Sequence, residues 1–122
     1  MKKILVVEDN ELNMKLFVDI LKYQNFDVDV AQDGLVAYEK IKSSFYDLVI
    51  LDIQLPKLDG FSMLEKLQNE NVTIPPIIVA SACVMDADKM RAKKYNVENY
   101  ITKPIDINNF IAIVKQTINK GE

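Results

Sequence analysis

Two textures alternate along the chain: short unbroken apolar runs, and longer stretches in which apolar residues recur every three or four positions. Ile4–Val7, Leu48–Leu51 and Ile77–Ala80 contain no polar residue and are rich in β-branched side chains, the pattern of strands covered on both faces. Val28-Asp29-Val30 and Tyr100-Ile101-Thr102 alternate in polarity and predict edge strands, where an acid such as Asp29 also discourages pairing between molecules. From Asn10 to Tyr23, Leu12, Leu16, Phe17, Ile20 and Leu21 form one helical stripe, with Asn10 as N-cap. Near the other end, Asp106 can cap a helix in which Ile107, Phe110, Ile111, Val114 and Ile118 recur at offsets of three and four. Residues 35–43 and 61–69 predict two more helices. Residues 86–95 offer Met90 and small alanines as their main apolar content, which predicts a loosely packed, partly exposed helix.

Five successive βα units imply an α/β fold built on a parallel sheet. With strands 2 and 5 at the edges and right-handed crossovers, the most economical order is 2-1-3-4-5, that of a flavodoxin-like (βα)5 three-layer sandwich. The 122 residues fit one domain, large enough to bury roughly two thirds of its unfolded surface. Residues 1–122 are therefore expected to be a single unit without an output domain.

Charge and composition narrow the function. A net charge of -3 gives no basic field for a nucleic-acid backbone, so no nucleic-acid partner is expected. The opening reaches Glu8 after four apolar residues, too few for a signal peptide or a membrane span, so a cytoplasmic location with no membrane contact is expected. Cys83 is the single cysteine and histidine is absent, which excludes an internal disulfide, the usual zinc sites and histidine-dependent nucleophiles.

In a sheet of this order the chain reverses direction between strands 1 and 3, and ligands bind outside the carboxyl ends of the strands. Glu8 and Asp9 end strand 1, and Asp52 ends strand 3. Three converging carboxylates repel, and a hard cation such as Mg²⁺ with oxygen ligands offsets that repulsion. Ser81 and Lys103 end strands 4 and 5, adding a hydroxyl and an ammonium that together suit a tetrahedral oxyanion and phosphoryl transfer. Asp9 as a helix cap or Glu8 as a solvated strand end would each explain one residue, but not the set of five. Lys57, Asp59 and Gly60 read as a turn, with Gly60 supplying backbone freedom. Cys83 reads as a small apolar residue near the site, with no neighbouring cation to activate its thiol.

The segments VVEDN, LDIQLPKLDG, VASA and YITKP, each at its expected strand end, resemble the receiver domain of two-component response regulators. The resemblance runs the length of the chain. It implies that Asp52 is the nucleophile that becomes an acyl phosphate, with Mg²⁺ (or Mn²⁺ as a substitute) held by Glu8, Asp9, Asp52 and the backbone carbonyl of Gln54. It further implies that Ser81 and Lys103 hold phosphoryl oxygens, that Ser81 and Tyr100 form the switch, and that the Lys103–Pro104 bond is cis. Tyr100 as an ordinary half-buried edge aromatic stays open.

The opening EDNELNMKLF and the lack of an output domain are similar to single-domain regulators of the DivK kind. Such a protein is a signalling phospho-acceptor and not an enzyme of turnover. Its donor would be a sensor histidine kinase or histidine phosphotransfer protein, since this chain has no histidine. Its downstream protein target would bind the face of helix 4, strand 5 and helix 5, where Lys89, Arg91, Lys93 and Lys94 lie, as a monomer or a phosphorylation-dependent dimer.

Departures from the commonest receiver pattern are few. Serine stands at position 81, where threonine is frequent, and Gln54 and Cys83 occupy variable positions along the path of the hydrolytic water. A haloacid-dehalogenase-type phosphatase would need a second acid where Gln54 stands. A flavodoxin would need a phosphate-cradling loop where Glu8-Asp9 would repel the flavin phosphate. A degenerate receiver acting as a phosphorylation-independent binding module remains the alternative.

Overall fold

The computed structural model describes residues 1–120. Ten elements alternate: β1 (Lys3–Val7), α1 (Glu11–Tyr23), β2 (Asp27–Ala31), α2 (Gly34–Ser43), β3 (Leu48–Leu51), α3 (Gly60–Asn69), β4 (Ile77–Ser81), α4 (Asp86–Ala92), β5 (Val97–Thr102) and α5 (Ile107–Lys120). All strand pairs are parallel, in the order β2-β1-β3-β4-β5. The expected fold is the one observed, with the two strands of alternating polarity at the edges.

The two-residue period of the strands divides the core into two layers. Leu5, Val7, Val49, Leu51 and Val79 pack with Ala37, Ile41, Phe61, Leu64 and Leu67 from α2 and α3. Ile4, Val6, Ile50 and Ala80 pack on the other face with Phe17, Leu21, Phe110 and Val114 from α1 and α5. There the rings of Phe17 and Phe110 lie 5.2 Å apart at a 49° tilt.

Four helices start at a side-chain cap. Asn10, Asp33, Asp59 and Asp106 each accept a hydrogen bond from the backbone N–H three residues on, at 2.9–3.0 Å, which satisfies donors that the first helical turn leaves free. The caps set where each helix leaves the carboxyl edge of the sheet.

Several side chains depart from the sequence reading. Leu12 is 79% exposed and Leu16 40% exposed, and α1 buries Phe17 and Leu21 instead. The apolar stripe is wider than the surface that α1 can cover on the sheet, so Leu12 and Leu16 along one side of it face solvent, while Met14, Phe17 and Leu21 pack inward. Met90 and Ile107 are exposed as well. Helix α4 ends at Ala92, and Tyr95 is buried beyond it. Gly60 has no positive φ. Its need is close approach, since a Cβ there would lie 2.9 Å from the Ile53 Cα. Cys83 is exposed and not packed.

Candidate functional site

The site forms where the carboxyl ends of four strands meet, and backbone hydrogen bonds set the registers there. The Glu8 N–H donates to the Ala31 carbonyl (3.0 Å), Asp52 N–H to Val7 (3.1 Å) and Lys103 N–H to Ser81 (2.9 Å). Glu8, Asp52 and Lys103 therefore stand one step beyond their strands, on backbone already paired with a neighbour, while Ser81 is the last paired residue of β4. The Lys103–Pro104 bond is cis, as the resemblance implied.

Glu8, Asp9 and Asp52 each bring a carboxylate oxygen within 4.8 Å of the other two. Glu8 and Asp52 are buried and Asp9 is exposed. The Lys103 ammonium bridges the buried pair, donating to Glu8 Oε1 and, at 2.9 Å, to Asp52 Oδ2. Asp52 Oδ1 accepts from the Gln54 N–H at 2.9 Å, and the wholly buried Ser81 hydroxyl donates to the same oxygen at 3.4 Å. Ser81 already faces the carboxylate in this structure.

Burial pushes the Glu8 carboxyl above its ordinary value, over the opposing hydrogen bonds from Lys103 and the Asn10 N–H. Burial works to lower the Lys103 ammonium, but its hydrogen bonds to Asp52 and Glu8 outweigh that and hold it above its usual range. Three carboxylates against one ammonium leave two negative charges in a partly buried crevice. One divalent cation with oxygen ligands cancels them, so these residues fit Mg²⁺ on charge, ligand type and separation.

Tyr100 lies apart from this cluster. It is half-buried on β5, packed against the side of the core that holds α2 and α3, with the Lys89 ammonium 5.6 Å from its ring centre. On α4, Arg91 stands 5.0 Å over the Phe61 ring. Lys89, Arg91, Lys93 and Lys94 are all exposed.

The sequence reading gave no role to two backbone donors, Asn10 N–H to Glu8 Oε2 at 3.2 Å and Gln54 N–H to Asp52 Oδ1. No side-chain identity signals them. A separate groove of about 560 Å³, lined by Phe45, Ile74 and Pro75 among others, opens at the opposite edge of the sheet and is remote from the converging charges.

Fold and site together define an α/β domain with an acidic crevice, bridged by the Lys103 ammonium, at the point where its strand order reverses. Residues 4–115 match the family model for the response regulator receiver domain, and the chain belongs to that family. Receiver domains are the phospho-accepting signalling modules of two-component systems. The polar-differentiation response regulator DivK of Brucella ovis is 36% identical over 115 residues, covering 93% of this chain and 94% of that protein. The response regulator ArlR of Staphylococcus saprophyticus is 36% identical over 121 residues, and the chain spans about half (54%) of its length.

Among solved structures, the receiver domain of the Francisella response regulator 1452 superposes with a TM-score of 0.88 at 29% identity, each chain covered in full. The receiver domain of the sensor histidine kinase PA1611 from Pseudomonas aeruginosa PAO1, described with a magnesium ion coordinated in its active site cleft, has a TM-score of 0.84 at 28% identity, covering 97% of this chain and 98% of that one. No helix among the described residues is long and apolar enough to cross a membrane.

Proposed function

We propose that this chain is a single-domain response regulator of a phosphorelay, in which Asp52 accepts a phosphoryl group from a phosphohistidine on a separate protein. The observation that carries this reading is the convergence of three carboxylates at one strand-end crevice, with the Lys103 ammonium bridging two of them. The Asp52 carboxylate attacks phosphorus, an O–P bond forms as the donor's N–P bond breaks, and the donor imidazole leaves with the electron pair.

Glu8, Asp9, Asp52 and the Gln54 carbonyl would hold Mg²⁺, with Mn²⁺ as a possible substitute. When bound, the cation offsets the charge that gathers on the phosphoryl oxygens. The Gln54 N–H and the Ser81 hydroxyl hold Asp52 Oδ1 in place. Lys103, now paired with two carboxylates, is placed to transfer one of its hydrogen bonds to a phosphoryl oxygen, and Ser81 to donate to another.

The donor must bring its histidine to Asp52, so its contact surface must rim the crevice. Leu12 and Leu16 on α1 and Ile107 at the start of α5 are exposed apolar side chains on helices that both begin at this edge, and they form that rim. Phosphorylation then draws Ser81 and Tyr100 inward and remodels the face of α4, β5 and α5 toward a downstream protein target. That shift needs to be only on the order of a few kcal/mol.

Intact-mass spectrometry after incubation with acetyl phosphate tests the reading. A single phosphoryl addition is expected with Mg²⁺, none without it, and none for Asp52→Asn. Normal labelling of Asp52→Asn would assign another acceptor, and no labelling under any condition would favour a phosphorylation-independent binding module. Lys103→Ala should still bind Mg²⁺ but lose the response of the α4–β5–α5 amides in NMR spectra. An unchanged response would remove Lys103 from the switch.

A further inference from the structure

The loop that follows Asp52 rests against the first residue of α2 through a contact that only glycine allows. A Cβ on Gly34 would fall onto the Leu58 carbonyl oxygen, 2.6 Å from its carbon and 2.9 Å from the Leu58 Cβ. Any larger residue must push the loop outward or push the amino terminus of α2 off the sheet. The loop is closed at its base, where the Gly60 N–H donates to the Ile53 carbonyl at 3.0 Å. A displacement at Leu58 therefore has few places to be absorbed short of residues 53–57.

The apex of the loop stores strain. Lys57 has φ 66, and the Leu58 N–H donates to the Pro56 carbonyl at 2.7 Å. Together these describe a γ-turn of the rarer, positive-φ kind, a costly conformation for a residue with a side chain. That turn directs the Leu58 carbonyl at Gly34. Alongside, the Lys57 ammonium lies 3.7 Å from Asp33 Oδ2, while the other oxygen of Asp33 caps α2. Backbone conformation, a steric fit and an ion pair all clamp the same loop to the same helix end.

We propose that Gly34 and the γ-turn at Lys57 are positioning elements for the cation: they hold the Ile53–Asp59 loop so that the Gln54 carbonyl faces the carboxylates. This rests on the reading of Gln54 as a metal ligand given above. Nothing else about Lys57 or Gly34 touches the reacting atoms. Their action is through Gln54, as outer partners that orient a ligand without binding the metal themselves.

The test is a Mg²⁺ titration of the ¹⁵N-labelled full chain, following the Asp52 and Gln54 amides, with a thermal melt of each variant alongside. Gly34→Ala should bind Mg²⁺ about tenfold more weakly, the scale of lost outer-shell support, with its labelling rate by acetyl phosphate retained at saturating Mg²⁺. Lys57→Val, at an exposed position, should weaken Mg²⁺ likewise, because a β-branched residue resists positive φ. Lys57→Gly should not, because glycine adopts that φ freely.

If Gly34→Ala does not fold, the two Lys57 variants decide the matter. Unchanged Mg²⁺ affinity in Lys57→Val, whatever its melting temperature, would overturn the proposal. Equal weakening in Lys57→Val and Lys57→Gly would also overturn it, by assigning the effect to the lost ammonium. Failure of the unmodified chain to bind Mg²⁺ would instead overturn the metal reading itself.

Discussion

Asp29 on the edge strand β2 occupies a position where an acid is usually left in water, yet it is tied on every side. Its carboxylate accepts from the Tyr46 hydroxyl at 2.6 Å, the Lys40 ammonium at 2.9 Å and the Val30 N–H at 2.9 Å, and Lys40 also donates to the Val30 carbonyl. Partial burial opposes its ionisation, but these donors prevail and hold its pKa at about 2. A folded value below the unfolded one contributes stability above the ordinary carboxylate range, and that contribution is lost as pH falls toward 2. Asp29→Asn should therefore unfold at lower urea than the wild type at pH 6, with the gap closing as pH falls from 4 to 2.5. A gap of the same size at pH 2.5 would show that the charge contributes nothing. The same group closes part of a free sheet edge, because Lys40 satisfies a carbonyl that would otherwise invite a second chain.

Among the elements, α1 leaves more of its apolar stripe in solvent than its period predicts, whereas α4 is as loosely packed as its composition predicts, and both border the surfaces proposed for partners. Helix α1 keeps Leu12 and Leu16 in solvent while Phe17 and Leu21 anchor it. Leu16→Glu should leave the urea midpoint nearly unchanged, since exposed substitutions usually alter stability by less than about 0.5 kcal/mol. Labelling by acetyl phosphate should also be unchanged, while transfer from a phosphohistidine protein slows, because a charge on the rim opposes apolar docking. Equal loss with both donors would place the defect in the crevice and not in partner contact. Helix α4, only seven residues long, buries Ala92 alone. Two of its cations stand over rings on its neighbours, Lys89 over Tyr100 and Arg91 over Phe61, and such contacts are weak at exposed sites. An element attached in this way is free to shift at small cost, as a switching face requires.

For the whole molecule, the uncancelled negative charge at one edge of the sheet would link folding to the proposed cation binding. A ligand that binds only the folded state adds about 2.7 kcal/mol at a hundredfold excess over its Kd, worth roughly 10 °C in a domain of this size. Saturating Mg²⁺ should raise the melting temperature by about that much, and Asp52→Asn should reduce the gain. No shift in the unmodified chain would count against the metal site.

Much of this organisation is local in origin and was therefore legible in the sequence. The apolar runs, the helical stripes and the caps Asn10 and Asp106 depend on neighbours within a few residues, and right-handed parallel connections then bring every strand's carboxyl end to one edge. Glu8, Asp9, Asp52, Ser81 and Lys103 meet for that reason, although they lie as far apart as positions 8 and 103. Tertiary packing alone decided the rest. Which side of the α1 stripe is covered depends on the width of the sheet beneath it, and two of the three donors on Asp29 come from residues 40 and 46, outside its strand. The collision awaiting a side chain at Gly34 is with Leu58, 24 positions away, through a backbone atom that residue identity does not encode. Periodicity specifies an element and its faces; which atoms meet across elements is settled only when the layers close at van der Waals distance.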